Sequence, residues 1–111
     1  MAASTAHPDH EPARSAIDAL TAPTVLEFGA GWCPICQAAQ PLIAAAFEDH
    51  PTVGHIKIED GSGRPLGRSF RVKLWPTLIF LRNGTEVQRL VRPQHVQTIK
   101  DAFAALEEPT P

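Results

Sequence analysis

Two cysteines three positions apart carry the most reactive chemistry in the chain. The segment Trp32-Cys33-Pro34-Ile35-Cys36 follows a short apolar run and opens a helical pattern. The first turn of a helix presents unpaired N–H groups and the positive end of the helix dipole, and both favour a thiolate. We therefore predict that Cys33 has a lowered pKa and is the attacking sulfur. Cys36 lies one turn further along the same face, within reach of a disulfide with Cys33, and Pro34 suits the first helical turn.

Other roles for the cysteine pair are less favoured. A zinc site needs about four ligands, but the chain has no second cysteine pair, and its His50, His55 and His95 are scattered. An iron–sulfur cluster fails for the same reason. A disulfide that closes so small a loop constrains the unfolded chain little, so a stabilising role is weak. A structural bridge or two inert thiols is the alternative to redox chemistry, and neither a metal nor an organic cofactor is expected.

A carboxylic acid in an apolar run is the second candidate for chemistry. Glu27 lies six residues before Cys33, in the middle of the first predicted strand. Burial beneath a dithiol should desolvate this carboxyl, raise its pKa and let it exchange protons near neutral pH. The alternative is that Glu27 points to solvent at a strand end. His55, on the next predicted strand, is interpreted as structural rather than catalytic.

Hydrophobic periodicity places these residues in an α/β chain. The predicted strands are 24–28, 53–58, 77–82 and 85–91, and helices begin near 11, 33, 67 and 93. The buried stripe of the second helix is predicted to contain Ile35, Ala39, Leu42, Ala46 and Phe47. Strands joined through helices should pair in parallel, and Asn83-Gly84 predicts an antiparallel hairpin at one edge. The result is a mixed four-stranded sheet with helices on both faces.

Length and charge exclude several classes of protein. The 111 residues, 43% apolar and 20% charged, suit one domain, which we assign to 11–108 after a flexible tail at 1–10. A net charge of −2 gives no reason to expect nucleic acid or a membrane surface as a partner. No apolar run reaches the roughly 20 residues of a membrane helix. The first residues lack a signal-peptide pattern, so we expect a cytoplasmic protein, or a periplasmic one if a leader has been removed.

Several further residues complete a recognisable pattern. They are Phe28, Ala30, Pro41 eight positions after Cys33, Trp75-Pro76-Thr77 and Asn83-Gly84. With the cysteine motif, they resemble the thioredoxin family over roughly residues 12–107. The resemblance implies a thioredoxin-like fold in which Pro76 is a cis-proline beside the disulfide.

The resemblance also assigns expected roles. Trp75 should offer its main chain to an extended substrate segment, and the expected substrate-binding residues are Trp32, Pro34, Trp75, Pro76 and Thr77. The family usually has a buried acid at the position of Glu27, which passes protons to and from the second cysteine. Lys57 matches a lysine that neighbours this acid. Glu27 and Lys57 are therefore expected to join the two cysteines in catalysis.

Three features depart from the family pattern. Pro34-Ile35 stands where typical reducing thioredoxins have Gly-Pro, and a proline after the first cysteine is similar to glutaredoxins and bacterial periplasmic oxidants. Trp75 is bulkier than usual and should narrow the substrate groove. The glycine that the family places after its last strand is Val91 or Arg92 here. These departures bear on substrate and on the direction of electron flow.

The cysteine motif and the resemblance imply a thiol–disulfide oxidoreductase that reduces or exchanges protein disulfides, with an external reductant to regenerate the dithiol. We expect a monomer. A glutathione-coupled reductase is an alternative, because a cluster of basic residues could hold anionic glutathione. Otherwise this cluster is a solvated basic face; its members are Arg64, Arg68, Arg71 and Lys73. An exported oxidant or isomerase and a non-catalytic binding module are the remaining alternatives.

Overall fold

The computed structural model describes residues 11–107, which form four helices and four strands. In chain order they are α1 (Arg14–Asp18), β1 (Thr24–Gly29), α2 (Pro34–Phe47), β2 (Gly54–Glu59), α3 (Pro65–Ser69), β3 (Thr77–Arg82), β4 (Thr85–Val91) and α4 (Val96–Glu107). The order of elements and the bounds of β3 and β4 agree with the sequence prediction. The predicted tail at 1–10 lies outside the described residues. None of the helices between 11 and 107 is long and apolar enough to cross a membrane.

The strands form one mixed sheet in the order β2-β1-β3-β4. β1 and β2 are parallel, whereas β3 is antiparallel to both β1 and β4. The expectation that helix-linked strands pair in parallel is therefore confirmed for β2 and wrong for β3. The helix α3 has only five residues, about 7.5 Å of length. The helix does not by itself span a strand of roughly 20 Å, and β3 begins at the end of the sheet where β2 ends.

Helices cover both faces of the sheet, as predicted. On one face, α2 and α4 bury residues such as Ile43 and Phe103 in a cluster with β1 and β3. On the other face, α1 and α3 contribute Ile17 and Leu66 to a second apolar cluster. Because helices cover both faces, the candidate site lies at the end of the sheet where β1 ends and α2 begins.

The buried side of α2 is rotated relative to the predicted stripe. Its buried residues are Cys36, Ala39, Ile43 and Ala46. Ile35 is 43% exposed, and Leu42 and Phe47 lie partly buried at the margin. Each residue advances a helix by about 100°, so choosing Cys36 instead of Ile35 for the core turns the stripe toward Ile43. Both residues are apolar, and the pattern alone could not decide between them.

The predicted hairpin and the predicted cis-proline are both present. Asn83 and Gly84 have φ values of 52° and 74°, the left-handed conformations that a two-residue Asn-Gly turn requires. The Trp75–Pro76 peptide bond is cis. Thr77, the first residue of β3, pairs with Phe28 near the end of β1. This pairing brings Trp75 and Pro76 to the same end of the sheet as the start of α2.

Candidate active site

The start of α2 positions the two cysteines. After β1, the chain turns so that the Cys33 N–H donates to the Ala30 carbonyl oxygen at 3.1 Å. Cys33 has an extended backbone and precedes the first helical residue, and its Sγ accepts a hydrogen bond from the Cys36 N–H at 3.3 Å. Pro34 occupies the first turn, where its missing N–H leaves no hydrogen bond unmade. Backbone N–H groups at the start of α2 therefore donate hydrogen bonds to the sulfur of Cys33.

This geometry makes the two thiols unequal. Burial raises the pKa of Cys33, but hydrogen bonds from Cys36 and from the Ile35 N–H, together with the charge of Arg92, bring it below its ordinary value. Burial raises the pKa of Cys36 to about 11, and the hydrogen bond and charge of Cys33 and the charge of Glu27 act in the same direction. Cys33 is the thiol that ionises first, in the direction predicted from the sequence.

Glu27 lies inside the protein beneath this pair. Its side chain is 5% exposed, so the alternative that it points to solvent is wrong. Gln40 Nε2 donates to Oε2 at 2.7 Å, and His55 Nε2 lies 2.7 Å from Oε1. Burial raises the pKa of Glu27, but these hydrogen bonds and the charges of His55 and Lys57 outweigh it and bring the pKa below its ordinary value. The predicted rise is wrong, because partners from α2 and β2 favour the carboxylate.

Lys57 reaches this carboxylate through an intermediary. It lies opposite Glu27 in the parallel pair of β1 and β2, and its Nζ donates to Gln40 Oε1 at 2.8 Å. Gln40 Nε2 also donates to the Cys36 carbonyl oxygen at 3.1 Å. The amide of Gln40 therefore joins the acid, the lysine and the second cysteine.

Sequence reasoning missed Gln40 and did not pair His55 with Glu27. Gln40 lies four residues after Cys36 on α2, and this helical spacing was a usable signal. His55 was assigned a structural role; its ring does stack on Phe47, with 4.3 Å between ring centroids. It also contacts the acid from the same strand as Lys57. His55 and Lys57 occupy alternate positions of β2 and therefore share one face. This spacing is the sequence signal for the group around Glu27.

An open cleft of about 330 Å³ gives access to Cys36 and Glu27. Gly29, Ala30 and Gly31 line the cleft together with Lys57. A Cβ at Gly29 would lie 2.8 Å from Cys36 Sγ, so only glycine allows this close approach. Within residues 11–107, no three side chains of metal-binding type come together.

Two tryptophans flank the cysteines on the other side. Trp32 is 72% exposed, and its ring lies edge-on to that of Trp75, with 5.7 Å between centroids. Trp75 packs against the cysteines and donates from Nε1 to Asp60 Oδ2 at 2.8 Å. Sequence reasoning missed Asp60, because nothing in a loop residue's spacing indicates a partner 15 positions away. The hydrogen bond fixes the indole of Trp75 beside the sulfur atoms.

The remaining expected substrate-binding residues differ in their exposure to solvent. Pro34 is exposed beside Cys33, and Pro76 is buried. Thr77 is 1% exposed, and its hydroxyl donates to the Leu74 carbonyl oxygen at 2.6 Å. The side chain of Thr77 therefore stabilises the turn before β3, and its expected role in substrate binding stays a prediction for its backbone.

Comparison with known proteins identifies the family to which this chain belongs. The family model described as Thioredoxin matches residues 7–105. The chain belongs to the thioredoxin family. The resemblance stated from the sequence is thereby confirmed, and so is the thioredoxin-like mixed sheet.

Individual thioredoxins show how near the relationship is. Thioredoxin H5 of Oryza sativa subsp. japonica is 31% identical over 85 residues, which cover 77% of this chain and 62% of that protein. The matches span 62% and 57% of the first two curated relatives. The structure of reduced thioredoxin 2 from Pseudomonas aeruginosa PAO1 is 58% identical, with a TM-score of 0.79 over 86% of this chain and 89% of that one. Thioredoxin NaTrxh from Nicotiana alata is 25% identical, with a TM-score of 0.71 over 86% and 82%.

In this thioredoxin-family chain, an arginine contacts two of the residues that are expected to bind substrate. Arg92 Nε donates to the Trp75 carbonyl oxygen at 2.8 Å, and the Arg92 N–H donates to the Pro76 carbonyl oxygen at 2.9 Å. The Trp75 carbonyl oxygen therefore already accepts one hydrogen bond, and a backbone carbonyl has two lone pairs, so the expectation that Trp75 offers its main chain to a substrate stays a prediction. The sequence marked position 92 only as a departure from the family pattern.

Proposed function

We propose that the chain is a thiol–disulfide oxidoreductase that reduces or exchanges protein disulfides through Cys33 and Cys36. The observation that carries the proposal is the unequal pair of thiols, with the pKa of Cys33 lowered and that of Cys36 raised to about 11. The thiolate is the nucleophile in disulfide exchange. The pair supports attack by Cys33 while Cys36 stays protonated.

The proposed exchange has two steps that conserve atoms and electrons. First, the Cys33 thiolate attacks one sulfur of a substrate disulfide; a Cys33–substrate disulfide forms, the substrate S–S bond breaks, and the released thiolate takes up a proton. Next, the Cys36 thiolate attacks Cys33 Sγ, which forms the Cys33–Cys36 disulfide and releases the second substrate thiolate, which is also protonated. Two electrons pass to the substrate, and an external dithiol or thiol returns them.

Glu27 supports the second step as the acceptor of the Cys36 proton. His55 and Gln40 favour its ionised form, and Glu27 and Cys36 line the same open cleft. A water molecule in this cleft would carry the proton from sulfur to carboxylate. Because the pKa of Glu27 is lowered, the carboxylate holds the proton briefly and passes it to solvent. Lys57 orients Gln40 and, through it, the acid.

Exposed apolar side chains beside the nucleophile support a polypeptide substrate. Trp32 is 72% exposed and Ile35 43% exposed, and they flank Cys33 and Pro34 in the sequence. Exposed apolar groups gathered at one place are typical of surfaces that bind another protein. The proposed substrates are therefore protein disulfides.

The test is reduction of insulin disulfides by the purified chain. Cys33→Ser should abolish the reaction, because serine cannot form a disulfide. The Cys36→Ser variant should still attack the substrate disulfide but should not resolve the Cys33–substrate disulfide. Mixed disulfides should therefore accumulate and be visible by mass spectrometry. Far-UV circular dichroism checks that both variants are folded. Full activity of Cys33→Ser would refute the assignment.

Two further measurements separate the alternatives. A reduction potential near −270 mV indicates a reductant, and one near −120 mV an oxidant. Regeneration by glutathione rather than by thioredoxin reductase would identify a glutathione-coupled enzyme. A binding module would show a Cys33 pKa near the free value of about 8.5, and its double Cys→Ser variant would still bind its partner.

A further inference from the structure

Arg92 has an uncommon backbone conformation beside the active site. Its φ is 52°, in the left-handed region that residues with a side chain rarely adopt. Asn83 has the same φ, but it lies in a tight turn where asparagine is favoured. Arg71 also has a positive φ, 58°, so the backbone alone does not distinguish Arg92; what distinguishes it is that its side chain donates to the residue before the cis-proline.

The side chain of Arg92 is held by a single anchor. Its Nε donates to the Trp75 carbonyl oxygen at 2.8 Å, and Trp75 packs against Cys33 and Cys36. Its charge acts on the Cys33 thiolate. Among residues 11–107, no carboxylate forms an ion pair with Arg92. The two terminal nitrogens of an exposed guanidinium are therefore available next to the nucleophile.

The geometry points to Arg92 as a specificity-determining residue that favours disulfides carrying a carboxylate next to the attacked sulfur. This inference rests on the proposed function and names a substrate class for the same site. An extended segment laid beside Trp75 would present its neighbouring side chains to the guanidinium.

Two physical arguments favour a carboxylate over other groups. With Nε anchored, the planar guanidinium still offers donors on its terminal nitrogens, and charge-assisted bonds from arginine to carboxylate are among the stronger hydrogen bonds. The Cys33 thiolate is itself an anion, so a substrate carboxylate beside it would be repelled. Arg92 places a cation there and removes this repulsion.

The carboxylate has two chemical sources, and the experiment separates them. One pair of disulfide peptides differs only in Glu or Gln beside the attacked cysteine. A second pair is oxidised glutathione and its carboxyl ester. We compare kcat/KM within each pair for the wild type, Arg92→Gly, Arg92→Lys and the control Lys100→Gln. Glycine suits the left-handed backbone and removes the cation, whereas Lys100 lies on α4, pairs with Asp49 and is outside the site.

The wild type should prefer the carboxylate member of a pair by roughly three- to tenfold. Arg92→Gly should reduce the preference to about one, Arg92→Lys should keep part of it, and Lys100→Gln should keep all of it. A preference in the peptides assigns the carboxylate to protein substrates, and one confined to glutathione assigns it to a small thiol.

Equal rates within both pairs, or an unchanged preference in Arg92→Gly, overturn the inference and leave the proposed function standing. Failure of the wild type to reduce any of the four disulfides overturns both. Because each ratio is measured within one variant, a general loss of activity cancels.

Discussion

Cys33 and Cys36 are the same chemical group in two environments. Cys33 precedes the first helical turn, where its sulfur accepts hydrogen bonds from the amides of the next residues. Cys36 lies one turn inside the helix, where burial and two neighbouring negative charges oppose its ionisation. A separation of three residues along one helix therefore makes Cys33 suited to attack and Cys36 suited to the later resolving step.

The side chain of Cys36 contributes to this difference, because it is among the groups that lower the pKa of Cys33. Cys36→Ala should therefore raise the pKa of Cys33, whereas Cys36→Ser keeps an O–H donor and should raise it less. The rate of alkylation by iodoacetamide, measured against pH, gives the pKa directly. Identical titrations of the two variants would show that the backbone amides act alone.

The junction between β1 and α2 sets the depth at which Cys36 lies. A Cβ at Gly29 would lie 2.8 Å from Cys36 Sγ, whereas a Cβ at Gly31 would meet nothing within 4 Å. The two glycines are two residues apart on the same wall of the cleft. They therefore form a matched pair for testing how tightly the strand and the helix pack.

Gly29→Ala should destabilise the protein by about 1–3 kcal/mol, because the new methyl overpacks a site that cannot expand. Gly31→Ala should change the free energy of unfolding by less than about 1 kcal/mol. Urea denaturation of the reduced proteins measures both values. Equal effects would mean that Cys36 moves aside without cost, and that the close approach does not constrain the site.

Local chemistry made some elements predictable from the sequence. The hairpin of β3 and β4 was predicted with the correct bounds, because Asn83-Gly84 specifies the turn and the turn specifies the register. The position of Cys33 before α2 followed from the pattern of its neighbours. Both features depend on residues close together in the chain.

Contacts between distant residues could not be predicted in the same way. The direction of β3 depends on how the connection from β2 packs on the sheet, which hydrophobic periodicity does not show. The pKa of Glu27 was predicted to rise because only burial was visible in the sequence. Its fall depends on Gln40 and His55, which lie 13 and 28 residues away.

At the scale of the whole molecule, the sheet separates two apolar clusters, and Glu27 is the buried carboxylic acid among residues 11–107. Clusters on each face contain only apolar side chains, whereas Glu27 is one of three buried polar or charged residues among 11–107. Its partners come from α2 and β2, so β1, α2 and β2 must all be in place for the carboxylate to be stabilised. Ionisation of Glu27 is therefore linked to global folding.

The linkage has a definite sign that Glu27→Gln should reveal. The pKa of Glu27 is lowered in the folded protein, so its contribution is present above the pKa of the unfolded chain and is lost as the pH falls through the folded pKa. An amide cannot accept hydrogen bonds on both sides, and the variant should be less stable by about 1–3 kcal/mol at pH 7. Urea denaturation from pH 7 to pH 3 should show this gap narrowing below about pH 4.5. The control Glu86→Gln removes a solvent-exposed partner of Arg89 and should stay within about 1 kcal/mol of wild type. A gap for Glu27→Gln that stays constant with pH would contradict the linkage, since it would assign the whole effect to packing.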